Sequence, residues 1–232
     1  MSSKGQISSS IRGVQYLDVL IVVFVSALLV SNIGSTKIVE VGPFVFDGGT
    51  ILFPIVYILA DIITEVYGFK KARRAIWLGF GVMIMATAVL GVVNVLPAAE
   101  SSTTHEAFSQ IVGFIPRIVV ASLSAYLVGQ YLNTRIISRL KVKMQGKSYC
   151  LRSLVSSSFG QGVDTLVFAT IAFWGAMSGE DFLALIGTVY LIKVGFEVVI
   201  LPFSSRLVAW LKKREKLDVY DSRTDYSLFA KG

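Results

Sequence analysis

Four carboxylates and two cations interrupt stretches of the chain that are otherwise apolar. Asp61 and Glu65 lie in LADIITEVY, Asp164 in GQGVDTLVF, Lys193 and Glu197 in YLIKVGFEVVI, and Arg117 in FIPRIVVA. A charge taken to the centre of a bilayer costs about 3 kcal/mol to insert, so six of them cannot face lipid. They must face one another or a wet cavity. Four acids against two bases leave an acidic excess, and such an excess in a low-dielectric site requires either bound protons or a ligand that donates several hydrogen bonds.

Spacing puts these groups on particular faces. Asp61 and Glu65 stand at i, i+4 and share one helical face, which must turn into a bundle. Lys193 and Glu197 have the same spacing, with Tyr190 one turn earlier, so they can also form a purely structural pair within one helix. Arg117 and Lys193 together could neutralise two acids and no more. Ser153, Ser157, Gln161, Asp164 and Phe168 follow three- and four-residue steps and form a polar stripe on an apolar helix. Gly160 and Gly162 permit close helix approach. Pro116, directly before Arg117, and Pro54 mark places where a helix can kink and free carbonyls.

The elements that position these side chains follow from composition. The chain has 54% hydrophobic and 16% charged residues and a mean hydropathy of +0.69, well outside the range of a soluble domain. This reads as an all-α polytopic membrane protein, residues 1–232 forming a single transmembrane domain. Apolar runs long enough to cross about 30 Å of hydrocarbon occur at approximately 14–34, 50–67, 75–97, 107–133, 152–176 and 182–210, leaving a tail at 211–232. With the N-terminus inside, 19 of the 22 Lys and Arg residues fall in cytoplasmic segments, Lys37 alone falls outside, and Arg117 and Lys193 lie within spans. That asymmetry predicts six spans with both termini inside. The net charge of +7 is thus a topology signal; basic residues recur at every cytoplasmic loop and form no single stripe suited to nucleic acid.

Other chemistries find little support. The first apolar run is too long for a cleavable signal and is read as a span. Cys150 can neither pair within the chain nor join a metal cluster, and His105 stands alone in an acidic loop. Neither a catalytic arrangement nor a cofactor is expected, and with no P-loop the chain cannot hydrolyse ATP by that route. An intramembrane enzyme using Asp61 and Asp164 as an aspartyl pair stays open as an alternative. Three spans per half would give the halves opposite orientations, as in inverted repeats.

The stretch GGTILFPIVYILADIITEVYGFKKAR resembles the hallmark of the queuosine precursor transporter family, also called vitamin uptake transporter-like. SNIGSTK at 31–37, IPRIVVASLSAYLVGQ at 115–130, LRSLVSSSFGQGVDTLVF at 151–168, YLIKVGFEVVILP at 190–202 and the tail WLKKREKLDVYD extend the resemblance over most of residues 31–221. At position 133, at the cytoplasmic edge of the fourth span, it leads to an expected Asp where this chain has Asn133. It implies a solitary six-helix importer in the cell inner membrane for 7-cyano- or 7-aminomethyl-7-deazaguanine, with a fold akin to the substrate-binding components of energy-coupling-factor transporters. Its partners would be that small molecule and the bilayer, and a homodimer is compatible with it. A substrate-capturing subunit that needs an energising module is the second reading.

The residues themselves suit such a guest. A guanine-like edge offers adjacent N1–H and N2–H donors that one carboxylate accepts in bidentate fashion, while amides complement O6. Asp61 or Asp164 is the expected carboxylate, Gln161 and Asn32 the amides, and Phe53, Tyr57 or Phe168 the stacking surfaces. Glu65 with Lys193 or Arg117, and Glu197 with Lys193, are the expected gating or ion-pair groups.

Overall fold

The structure, a computed structural model, describes residues 15–42, 44–174 and 179–221. Lys4, Arg12, Arg223 and Lys231 of the charge count lie outside these residues. The described residues contain six helices: α1 (Leu17–Gly34), α2 (Phe53–Tyr67), α3 (Phe69–Val95), α4 (His105–Lys143), α5 (Tyr149–Phe173) and α6 (Gly179–Glu215). Between α1 and α2 lies an antiparallel hairpin of β1 (Ile38–Val41) and β2 (Phe44–Asp47), followed by a 3-10 turn, Gly48–Ile51.

The hairpin departs from the all-helical expectation. Its strands, IVEV and FVFD, are rich in β-branched and aromatic residues, and Gly42 supplies the positive φ of 59° at the bend. Buried Asp47 closes it: its carboxylate accepts from Ser35 Oγ at 2.6 Å and Thr50 Oγ1 at 2.7 Å, tying the hairpin to the end of α1 and the start of the turn.

Among the described residues four helices are long and apolar enough to cross a membrane: α1, α3, α4, and α6 from Phe182, with mean hydropathies of 2.3, 2.3, 1.9 and 2.0. Large apolar side chains such as Val22, Val92, Leu191 and Phe203 project from α1, α3 and α6, as expected of surfaces that meet hydrocarbon. The other two are the helices that carry the polar residues. At 15 residues α2 is only about 22 Å long, yet every residue except Ile55 is buried, because its neighbours surround it. In α5 the polar stripe itself lowers the hydropathy.

Boundaries follow local chemistry. Pro54 sits in the first turn of α2, where its missing N–H is not required, so it starts a helix instead of kinking one. Gly68, at φ 86°, is the whole connection between α2 and α3. The helix α3 therefore begins at Phe69, ahead of the expected 75, and takes in Lys70, Lys71, Arg73 and Arg74. Pro116 lies inside the continuous α4, and α4 and α6 overrun their expected spans to Lys143 and Glu215.

The tightest helix contact joins α4 to α5. A Cβ on Gly129 would lie 2.6 Å from the Gly160 carbonyl, and one on Gly160 would lie 2.8 Å from that of Gly129. Backbone thus touches backbone there, which only glycine allows. A Cβ on Gly162 would make an ordinary 3.5 Å contact with Tyr190, so of the two α5 glycines only Gly160 serves close approach.

Candidate functional site

One face of α2 carries Phe53, Tyr57, Asp61 and Glu65 at successive four-residue steps. Each step climbs about 6 Å along the axis, and each residue meets its own partners on α4, α5 and α6. The site is therefore a column of polar levels running beside the central helix.

At the Glu65 end the carboxylate is saturated with cations. Arg152 forms a bidentate pair with it, Nη1 to Oε2 at 2.5 Å and Nη2 to Oε1 at 3.0 Å. Lys212 Nζ donates to Oε1 at 2.5 Å, and Lys141 Nζ lies 3.8 Å from that oxygen while donating to the Glu65 backbone carbonyl at 2.5 Å. The chain beyond α6 folds back over this level. Asp218 accepts from Lys141 at 2.6 Å and pairs with Lys212 at 2.9 Å, and the Val219 carbonyl accepts from Lys141. Asp221 accepts from the first backbone N–H of α3, at Phe69, and from Ser138 Oγ. Asp218 is held below the ordinary carboxylate range: partial burial pushes it up, but hydrogen bonds from the Lys141 and Lys212 ammoniums outweigh that.

One turn along, Asp61 is fully buried and accepts only from neutral donors: Asn133 Nδ2 at 2.6 Å, Ser153 Oγ at 2.5 Å and Ser157 Oγ at 3.3 Å. Beyond it Gln161 Nε2 donates to Glu197 Oε2 at 2.5 Å across α5 and α6. Several buried polar atoms on these helices have no protein partner: Gln161 Oε1, Glu197 Oε1, and the Tyr57 and Tyr126 hydroxyls. The two tyrosine rings meet edge to face, 6.0 Å apart. Because Gly129 has no side chain, the Tyr57 hydroxyl and the Asp164 side chain both fit against it.

At the Phe53 end, Lys193 Nζ donates to Asp164 Oδ2 at 2.9 Å and to Thr165 Oγ1 at 3.4 Å, and lies 4.7 Å from the centre of the Phe53 ring. Asp164 Oδ1 has no protein partner. A small pocket lined by Asp47, Thr165, Phe168 and Val189 adjoins this level, next to the hairpin.

The pairings differ from those that spacing suggested. Lys193 bonds Asp164 on α5 and not Glu197 one turn away, and Glu197 takes Gln161 instead. The cations on Glu65 are Arg152, Lys212 and Lys141, neither Lys193 nor Arg117. Arg117 is exposed and donates to the Ile171 carbonyl at 3.4 Å. Asp61 and Asp164 bond different partners on different levels, so they do not form the shared-proton pair of an aspartyl enzyme. Asn32 donates to the Leu28 carbonyl of its own helix, leaving Oδ1 buried without a protein partner. Phe168 packs with Ile118, Ala121 and Ala125 between α5 and α4.

Several side chains of this column escaped the sequence reading. Arg152, Lys141 and Lys212 counted only as topology signals, although Arg152 is wholly buried. Asn133 looked like an edge residue departing from an expected Asp, yet its amide donates to Asp61; an Asp there would set two carboxylates against each other. A signal did exist: Ser122, Tyr126, Gln130 and Asn133 recur at helical steps along α4, and all are buried.

Long apolar helices around a buried column of acids, amides and hydroxyls are the make-up of a multi-pass membrane protein. The family model described as "Putative vitamin uptake transporter" matches residues 47–207, and the chain belongs to that family. It is 28% identical over 179 residues to a "Probable queuosine precursor transporter" of Bacillus subtilis (strain 168), covering 77% of this chain and 78% of the relative. A "Queuosine precursor transporter" of Escherichia coli (strain K12) is 32% identical over 170 residues, 72% of this chain and 74% of the relative. A "Probable queuosine precursor transporter" of Haemophilus influenzae is 34% identical over 136 residues, 59% of this chain and 54% of the relative. No solved structure matches the chain. The resemblance carried by the sequence motifs is borne out, and these relatives are named as transporters, not enzymes.

Proposed function

We propose that this chain imports queuosine precursors, 7-cyano- or 7-aminomethyl-7-deazaguanine, across the cell inner membrane through the α2 column. Six spans with both termini inside, in the manner of energy-coupling-factor substrate-binding components, orient the Glu65 level toward the cytoplasm and the hairpin pocket outward. The observation that carries the reading is the set of buried polar atoms without protein partners around Gln161, Glu197, Tyr57 and Tyr126. An unsatisfied buried polar atom costs about 1–3 kcal/mol, so these atoms favour a guest that completes their bonds. A deazaguanine does so: a carboxylate of Glu197, Asp164 or Asp61 accepts from N1–H and N2–H, the Gln161 amide or a tyrosine hydroxyl donates to O6, and Phe53 or Tyr57 covers a ring face.

The column is packed in this conformation, so entry requires an interface to part. The α4–α5 contact is backbone against backbone, whereas α5 and α6 meet through the Gln161–Glu197 and Asp164–Lys193 bonds that a polar guest can replace. Admission is therefore assigned to movement of α6, and the Glu65 cluster to closing the inner end. Isothermal binding of both precursors, guanine and queuine to the purified protein tests this. The precursors are expected to bind, with Glu197→Gln and Tyr57→Phe weakening them at least about tenfold, roughly 1.4 kcal/mol. Absence of binding by either precursor defeats the proposal.

A further inference from the structure

Charge is compensated unevenly along the column. Glu65 has three cations within 4 Å and Asp164 has Lys193. For Asp61 and Glu197, both fully buried, no ammonium or guanidinium lies within that distance among the described residues. The nearest candidates are occupied. Lys193, one turn from Glu197 on α6, is bonded to Asp164, and Arg152, next to Ser153 on α5, is bonded to Glu65.

The two acids also differ from each other. Asp61 faces Asn133 from α4, Ser153 and Ser157 from α5, and Glu65 one turn along α2, and three of those groups donate to it. Glu197 faces Gln161, Ser153 and Ser157 from α5 and Asp61 and Tyr57 from α2, with Lys193 on its own helix. Among these, Gln161 donates to it at 2.5 Å, and Oε1 has no partner. An anion with three donors is better stabilised than one with a single donor, and an unpaired buried carboxylate takes up a proton before it carries a bare charge. Ser153 and Ser157, which donate to Asp61, stand two turns and one turn before Gln161 on the same face of α5, and Gln161 donates to Glu197.

We propose that the protein is a proton symporter in which Glu197 carries one proton inward with each base and Ser153 and Ser157 relay it to Asp61. This rests on the transport reading above. Protonated Glu197 matches the lactam edge of a deazaguanine: its carbonyl oxygen accepts N1–H while its O–H donates to O6. On the inner side the Glu197 O–H bond breaks, a serine oxygen accepts that proton as its own passes to the Asp61 carboxylate, and Asp61 releases one proton to cytoplasmic water. Glu197 then regains a proton from the outer, hairpin side. No electrons move, and one proton crosses per base.

The test uses the full chain in proteoliposomes with a lumenal pH dye, potential clamped at zero, and neutral 7-cyano-7-deazaguanine as the probe. Inward transport of the base should acidify the lumen. An outside-acid gradient of one pH unit should raise the accumulation ratio about tenfold, the equivalent of about 1.4 kcal/mol. In Glu197→Gln the ratio of accumulation with and without the gradient should fall to one, whatever the absolute rate, while Glu197→Asp should restore a ratio above one. Parent protein that carries the base with no acidification and no gradient dependence overturns the proton proposal and leaves the transport reading standing. So does an E197Q protein whose gradient ratio matches the parent's. Parent vesicles that take up no base at all, with or without a gradient, overturn the transport reading itself.

Discussion

Glu65 and Glu197 are both buried glutamates facing the same interior, yet their surroundings are opposite. Glu65 sits among Arg152, Lys212 and Lys141, beneath a tail segment that adds Asp218. Glu197 holds one amide and leaves an oxygen without a partner, and Asp61 between them is bound by neutral donors only. An acid whose charge is fully matched is locked in place, and removing either partner strands the other. An acid held by neutral donors can exchange those donors for a guest or a proton at little structural cost. Under the proposed transport reading, the contrast assigns closure to one end of the column and substrate contact to its middle.

The sharpest way to break this contrast is to remove Glu65. Glu65→Ala strands Arg152, which is 0% exposed, and breaking such a buried pair costs about 3–5 kcal/mol. Unfolding of the purified protein in detergent should show that loss, and Glu65→Ala combined with Arg152→Ala should recover part of it. A Glu65→Ala protein as stable as the parent and defective only in uptake would erase the distinction. Asp61→Asn makes the opposite prediction. Its serine neighbours can rotate and Asn133 can turn its amide, so stability should change by less than about 1 kcal/mol, while uptake of labelled precursor at equal membrane levels falls at least about tenfold, roughly 1.4 kcal/mol.

The smallest effect belongs to the tail. Asp218 is 40% exposed, so solvent screens its pairs, and Asp218→Asn should cost a few tenths to about 1 kcal/mol. Its carboxyl is held below the ordinary range by Lys141 and Lys212 against the upward push of partial burial. The stabilisation is therefore fully present above the ordinary carboxylate value of about 4 and is lost as pH falls through the lower folded value. Melting midpoints of parent and D218N should converge below that value and separate above it, with the gap narrowing in high salt.

Much of the molecule was legible before any coordinates. The apolar runs located the six helices of the described residues, and the steps through Ser153, Ser157, Gln161 and Asp164 marked the polar face of α5. The i, i+4 spacing of Asp61 and Glu65 placed both on the inward face of α2. The hairpin was not foreseen, because IVEV and FVFD are each too short to stand out beside long apolar runs. Nor were the ion pairs: spacing favoured Lys193 with Glu197, but α5 brings Asp164 within 2.9 Å of the ammonium. Asn133 passed as an edge residue because nothing along the chain shows that Gly129 and Gly160 draw α4 against α5.

Composition and periodicity determined by themselves that apolar helices would enclose Asp61, Glu65, Asp164, Lys193 and Glu197, since hydrocarbon admits neither bare charge nor unpaired backbone; Arg117, expected to face inward with them, is exposed. Which acid receives a cation was decided only in three dimensions. Arg152, Lys141 and Lys212 reach Glu65 from 87, 76 and 147 residues away. Helical spacing orders neighbours within a few turns, whereas charge compensation depends on which helix ends the packed bundle brings together.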